Sequence, residues 1–188
     1  MAFTVVYDAC VLYPASLRDL LLRIAQSGIV RARWTERILD ECFDNLAKNR
    51  PDIPPASLQR TRALMCEAVP DCLIAAHDLV SIAAQLPDPG DHHVLAAAVT
   101  SGAQAIVTFN LSDFPASALE ALGIEAKHPD DFVLDSIGRR PAGVLAIIEQ
   151  QAAALKNPPM SSARLLEILR ERGLPQSVAK LHELRGSS

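Results

Sequence analysis

Residues Phe3–Tyr7, FTVVY, form an unbroken run of β-branched and aromatic side chains without the alternation of a half-exposed strand. Such a run predicts a strand covered on both faces, as in a parallel sheet packed between helices. Asp8 ends the run at once, so a carboxylate stands at the carboxyl edge of the sheet. In an open α/β sheet that edge is where ligands bind. Taken alone, Asp8 reads equally as a turn residue that caps the next segment.

The remainder of the chain alternates in the same way. A helix is expected from Ser16, with Asp19 in a capping-box variant, Leu17, Leu20, Leu21 and Ile24 inward, and Gly28 just past its end. Ile29–Trp34 reads as a second strand. Thr35 is a good N-cap for a helix whose apolar face is Ile38, Leu39, Cys42, Phe43 and Leu46. Glu41 borders that face, either at the edge of the solvated side or on the wall of a site. Pro51, Pro54 and Pro55 break the chain, and Ser57 can start the next helix, running through Met65 and Cys66. Residues 68–86 fit a short strand followed by a helix, without a firm boundary.

The stretch Pro87–Pro115, PDPGDHHVLAAAVTSGAQAIVTFNLSDFP, carries most of the polar chemistry. Asp91 falls at the start of a helix over His92–Ser101, where exposed amides and the helix dipole favour a carboxylate. Ala103–Phe109 reads as another buried strand, followed by the Asn110–Asp113 turn. A helix to Leu122 ended by Gly123, a strand at Ile124–Lys127 and a helix over Asp130–Ile137 complete an α/β pattern. Beyond Gly138 there is no strand-like run, only two or three amphipathic helices interrupted at Asn157–Pro159 and Gly173–Pro175. The expected organisation is therefore an α/β domain over residues 1–137 and a helical extension over 138–188. The extension either packs on the core or offers a surface to a partner or to a second copy in a homodimer.

With 188 residues the chain can bury a sizeable core. A net charge of −4 argues against a broadly basic nucleic-acid binder while allowing a local basic groove. No apolar segment approaches the ~20 residues of a membrane span and no signal peptide precedes the first strand, so no membrane association is expected and the cytoplasm is the default location. The four cysteines, at positions 10, 42, 66 and 72, lack CxxC spacing and read as small buried hydrophobes.

Asp8, Asp91 and the Asn110/Asp113 turn share one predicted sheet edge, and Glu41 can reach it from a crossover helix. Clustered carboxylates repel one another unless cations neutralise them, and oxygen-only ligand sets favour Mg²⁺ or Mn²⁺. Four segments in order, VVYDACVLYPASLRDLL, RARWTERILDE, LPDPGDHHVLAAA and AIVTFNLSDFP, together resemble the PIN-domain family, in particular the VapC-like toxin ribonucleases. The resemblance covers roughly Phe3–Phe132. It implies a three-layer α/β/α parallel-sheet fold and a Mg²⁺- or Mn²⁺-dependent endoribonuclease with RNA as substrate and a small antitoxin protein as partner. Carried onto this chain, it makes Asp8, Glu41 and Asp91 metal-binding and catalytic acids, with Asp88 assisting. Most relatives place an aspartate where Asn110 stands, and Asp113 would then supply the missing carboxylate. Thr108 or Asn110 would orient water or phosphate, and Arg18, Arg31 and Arg33 could touch the RNA backbone, although off the apolar stripe they also read as solvated.

Three other readings compete. A transition-metal site at His92 and His93 is disfavoured because neighbours on a helix diverge by about 100°, which leaves them as loop or surface residues. A phospho-accepting receiver domain would need an acidic pair after the first strand, where Asp8 stands alone. A degenerate PIN domain that binds RNA or protein without cutting is kept open by Asn110.

Overall fold

In the computed structural model, which describes residues 3–80, 82 and 85–186, the FTVVY run is β1 (Phe3–Tyr7), the centre of a five-stranded parallel sheet. β2 (Val30–Thr35) and the two-residue β3 (Leu73–Ile74) lie to one side, β4 (Ala105–Val107) and β5 (Glu125–Lys127) to the other. The strand order β3-β2-β1-β4-β5 reverses direction between β1 and β4. Chain connections diverge there, so a crevice opens at the carboxyl ends of those two strands. Val5 pairs with Ala32 on one side and Ala105 on the other, and the Asp8 amide donates to Val107 O at 3.1 Å, which anchors the acid to the sheet.

Between β1 and β2 come α1 (Ala9–Leu12) and α2 (Ala15–Gln26). The helix expected from Ser16 in fact begins behind Pro14, with no side-chain cap, and Asp19 pairs instead with Arg23 at 3.0 Å. Pro14 accounts for this: its carbonyl receives the first helical bond from Arg18 N, at 2.8 Å. Leu17, Leu20, Leu21 and Ile24 are buried as expected, and Gly28 follows the helix at φ +73, the left-handed conformation that ends many helices.

α3 (Glu36–Asn49) is capped by the Thr35 hydroxyl, which accepts from Ile38 N at 3.2 Å. α4 (Pro55–Ala68) starts on the prolines rather than on Ser57, with Pro55 in its first turn. In 68–86 the described residues contain β3 and a 3-10 turn at Ala76–Asp78 but no helix, and residues 81, 83 and 84 lie outside the description. α5 (His92–Thr100) is buried along most of its length and packs on β1, β2 and β4. Its run of alanines lets the helix approach the sheet closely. α6 (Ala116–Leu119) leads through a 3-10 turn and Gly123 to β5.

α7 (Pro129–Arg139), α8 (Pro141–Ala154), α9 (Ser162–Glu171) and α10 (Pro175–Gly186) complete the chain. α8 packs on α2 and α7, and α10 packs on α7, so helices cover both faces of the sheet in a three-layer α/β/α arrangement. Val144, Ile148, Leu165, Leu169, Val178 and Leu181 join the same apolar core as Val5, Tyr7 and Leu21. The last three helices therefore pack on the core. Asp130, buried in α7, fastens them: its carboxylate accepts Gln176 N at 2.9 Å and Ser177 N at 2.8 Å, capping the first turn of α10. The division placed between residues 137 and 138 falls inside α7. Among the described residues no helix is long and apolar enough to cross a membrane.

Candidate active site

Asp8 is only 6 % exposed and each of its oxygens has a partner. Oδ1 accepts Ala9 N at 2.7 Å, capping α1. Oδ2 accepts the Thr108 hydroxyl at 2.7 Å and the Cys10 thiol at 3.1 Å. The strand pairing of β1 with β4 makes this possible by bringing residues 8 and 108 together across the sheet edge. Thr108 Oγ1 in turn accepts Asn110 N at 3.0 Å, and Cys10 Sγ accepts Phe109 N at 3.3 Å. Burial, reinforced by the Asp8 charge, pushes the Cys10 thiol up to about 12, so it stays protonated and donates. One network thus ties the first acid to the turn that follows β4.

Glu41 reaches the same crevice from the middle of α3. Its carboxyl pKa is raised by burial and by the charges of Asp8 and Asp40, against the opposing pull of Arg37, one helical turn back at 3.4 Å. His93 Nε2 lies 2.8 Å from Glu41 Oε1 but is not aligned for a hydrogen bond, and neither ring nitrogen has a hydrogen-bond partner. Burial, with help from the Arg37 charge, lowers the His93 pKa to about 4, so this is a neutral imidazole against a carboxylate rather than an ion pair.

Asp91 occupies the N-cap position of α5, as expected from sequence, but its side chain makes no capping bond. Its carboxyl is pushed up to about 6, first by burial and then by the charges of Asp8, Asp113, Asp88 and Glu41. Asp88 caps the preceding 3-10 turn by accepting Gly90 N at 2.7 Å, and Asp113 closes the turn Leu111–Asp113.

Asp8, Glu41, Asp91 and Asn110 line one cleft of about 440 Å³, together with Cys10, Tyr13, Asn45 and Asn49. Asp88 and Asp113 are not on its walls, yet both act on Asp91 electrostatically. Among the described residues, no three potential ligand side chains already stand close enough to cage a metal ion. The donor set nonetheless suits a hard cation: oxygen donors converge, no lysine or arginine among the described residues lines the cleft, and Asp91 carries the repulsion of four other acids.

Several sequence expectations are corrected here. Thr108 is fully buried beneath Asp8 and cannot meet water or phosphate; it positions the acid instead. Arg18 is half-buried rather than fully solvated, and its Nη1 donates to Leu12 O at 2.7 Å and Tyr13 O at 3.3 Å. Arg31 pairs in register with Thr4, at the strand end away from the cleft, and Arg33 donates weakly to Leu73 O at 3.5 Å. His93 is a buried helix residue rather than a surface one. Cys10 lies partly exposed in the cleft rather than buried among apolar groups. The sequence reading passed over Tyr13, Asn45 and Asn49, although the four-residue spacing of Glu41, Asn45 and Asn49 on one helix was a usable signal.

Comparison with known proteins places the chain in a family. The PIN domain model matches residues 4–112, and the VapC50 C-terminal domain model matches residues 129–183, that is, α7 through most of α10. A relative from Mycobacterium tuberculosis (strain ATCC 25618 / H37Rv), named "Putative ribonuclease VapC50", is 44% identical over 94 residues, 50% of this chain and 55% of the relative. The chain thus spans about half the length of the curated relative it matches. No solved structure gives a significant match. With a PIN domain match over more than half its length and the acids of that match gathered at the sheet's switch point, this chain belongs to the PIN domain family.

Proposed function

We propose that the protein is a metal-dependent endoribonuclease that hydrolyses RNA phosphodiester bonds, and that it is the toxin of a toxin–antitoxin pair acting in the cytoplasm. The convergence of Asp8, Glu41 and Asp91 on one cleft, with Asp91 raised to about 6 by burial and then by the neighbouring acids, carries this reading. Asp8, Glu41 and Asp91 would hold Mg²⁺ or Mn²⁺, with Asp88 and Asp113 adding negative charge from the rim. Such an ion, when bound, supplies an activated water and neutralises charge on the phosphate.

The chain's own groups prepare that chemistry. Thr108 and the Cys10 thiol hold Asp8 in one orientation, so the first acid needs no rearrangement. Asn110 presents a neutral amide to the cleft, able to orient water or a phosphate oxygen without adding repulsion. Neutral His93 walls Glu41 off from solvent on one side. The name of the relative supports the ribonuclease reading, and the match to the VapC50 C-terminal domain supports treating α7 to α10 as a family-specific extension. A small antitoxin protein is the expected partner, and a homodimer is compatible with the exposed faces of the extension.

Asp8→Asn and Asp91→Asn should each abolish Mn²⁺-dependent cleavage of RNA while leaving the circular dichroism spectrum unchanged; full cleavage by both variants would refute the assignment. The second reading, a PIN domain that binds without cutting, is favoured by Asn110 alone. Calorimetric Mn²⁺ binding with no cleavage of any RNA tested would select it. A small reading frame directly upstream would support the toxin assignment.

A further inference from the structure

The cleft continues past its acids. Beyond Asp8, Glu41 and Asp91 its wall is made by Tyr13, Asn45 and Asn49. Glu41, Asn45 and Asn49 recur at four-residue intervals on α3, so they form one ridge that climbs about 6 Å per step away from the acids. Tyr13 faces this ridge from the end of α1: Asn49 Nδ2 donates to its hydroxyl at 3.3 Å. Arg18 braces the backbone beneath, bonding Leu12 O and Tyr13 O, so the ring stands on a fixed support. Asn45 and Asn49 are exposed, and asparagine is a poor helix former, so neither amide serves the helix that carries it.

We propose that this wall is a base-binding subsite, which takes the nucleobase of a single-stranded RNA nucleotide next to the phosphate held at the acids. The proposal rests on the ribonuclease reading above. The wall's chemistry disfavours a phosphate. A phosphate would want cations, and none stands among the described lining residues. A base wants an aromatic surface for stacking and amide donors and acceptors for its edge. Tyr13 supplies the first and Asn45 and Asn49 the second. Only unpaired nucleotides present both face and edge, so the substrate class is single-stranded RNA.

The test uses the full chain carrying Asp91→Asn, to prevent turnover, and 5′-fluorescein hexaribonucleotides in which one abasic site is walked through each position. Fluorescence anisotropy should show one position where base removal weakens binding by about 5- to 150-fold, the range of aromatic stacking. Adding Tyr13→Ala should erase that penalty, Tyr13→Phe should retain it, and Asn49→Ala should narrow the differences among A, C, G and U there. No penalty at any position, an equal penalty after Tyr13→Ala, or no RNA binding at all overturns the subsite. Mn²⁺-dependent cleavage by the parent chain is read in parallel. Cleavage without a base penalty overturns the subsite alone, and a base penalty without cleavage overturns the nuclease reading alone.

Discussion

Replacing Thr108 with valine isolates the link between the buried network and the site. Valine keeps the shape of threonine in a fully buried position but removes the hydroxyl that donates to Asp8 Oδ2 at 2.7 Å and accepts Asn110 N at 3.0 Å. A hydrogen bond to a charged group contributes roughly 1.5–3 kcal/mol. Independently, losing a side chain that orients a metal-binding residue typically weakens metal affinity by about 10–100-fold, equivalent to roughly 1.4–2.7 kcal/mol. The two figures agree, so Thr108→Val should weaken Mn²⁺ binding by about that factor, measured by isothermal titration calorimetry, with cleavage falling in parallel at subsaturating Mn²⁺. One opposing effect sets the sign of the test. The hydroxyl also competes with a cation for Oδ2, so its loss could free the carboxylate. If affinity is unchanged or tighter while the thermal midpoint stays near that of the parent, Thr108 competes for Asp8 rather than positions it, and the reasoning fails.

The remaining expectations concern stability. Asp130→Asn retains one acceptor but turns an amide N–H₂ toward a backbone donor, so it should cost about 2 kcal/mol in urea unfolding through loss of one charge-assisted bond to Gln176 N or Ser177 N. An unchanged midpoint would show that Asp130 does not fasten α10. Gly173→Ala places a Cβ at φ +96 only 3.1 Å from Phe109 Cε1, and should destabilise by about 1–2 kcal/mol from backbone strain alone; an unshifted thermal midpoint would refute it. Asp91 titrates near 6, above the usual carboxylate value, so between those two values the folded state binds more protons than the unfolded one. Lowering pH from 7 towards 5 should therefore stabilise metal-free protein through Asp91, by about 1 kcal/mol or less given solvent screening at a partly exposed site, while His93, lowered to about 4, acts in the opposite direction over the same window. Asp91→Asn should remove the Asp91 contribution and stabilise the metal-free protein at pH 7, and this gain over the parent should shrink as pH is lowered to 5; a gain in thermal midpoint that does not change with pH contradicts the argument.

Much of the fold was legible because it is encoded locally. β1 is visible in five consecutive residues that only a doubly covered strand can bury. The inward face of α3 follows from the spacing of Ile38, Leu39, Cys42, Phe43 and Leu46, and its start from the Thr35 hydroxyl. The helical character of the terminal segment and its breaks at Asn157–Pro159 and Gly173–Pro175 were equally plain, while the sequence left open whether it holds two helices or three. Local signals misled where two of them compete: Ser16 lost to Pro14 as the start of α2, and Asp91 sits at a helix start without capping it. In 68–86, β3 amounts to two residues, too short a segment to impose a period.

The sequence by itself determined the alternation of strand and helix, the carboxylates at strand ends and the apolar stripes, because side-chain periodicity and capping depend on residues a few positions apart. Only the tertiary structure decided how those carboxylates are held. The Thr108–Asp8 bond joins residues 100 apart, and it exists because β4 enters the sheet beside β1 rather than beside β3. The burial of His93 against Glu41, the bracing of Tyr13 by Arg18 and the capping of α10 by Asp130 likewise depend on which helices meet. No periodicity within one segment reports the partner across a sheet edge, so the acids could be named from the chain and their arrangement could not.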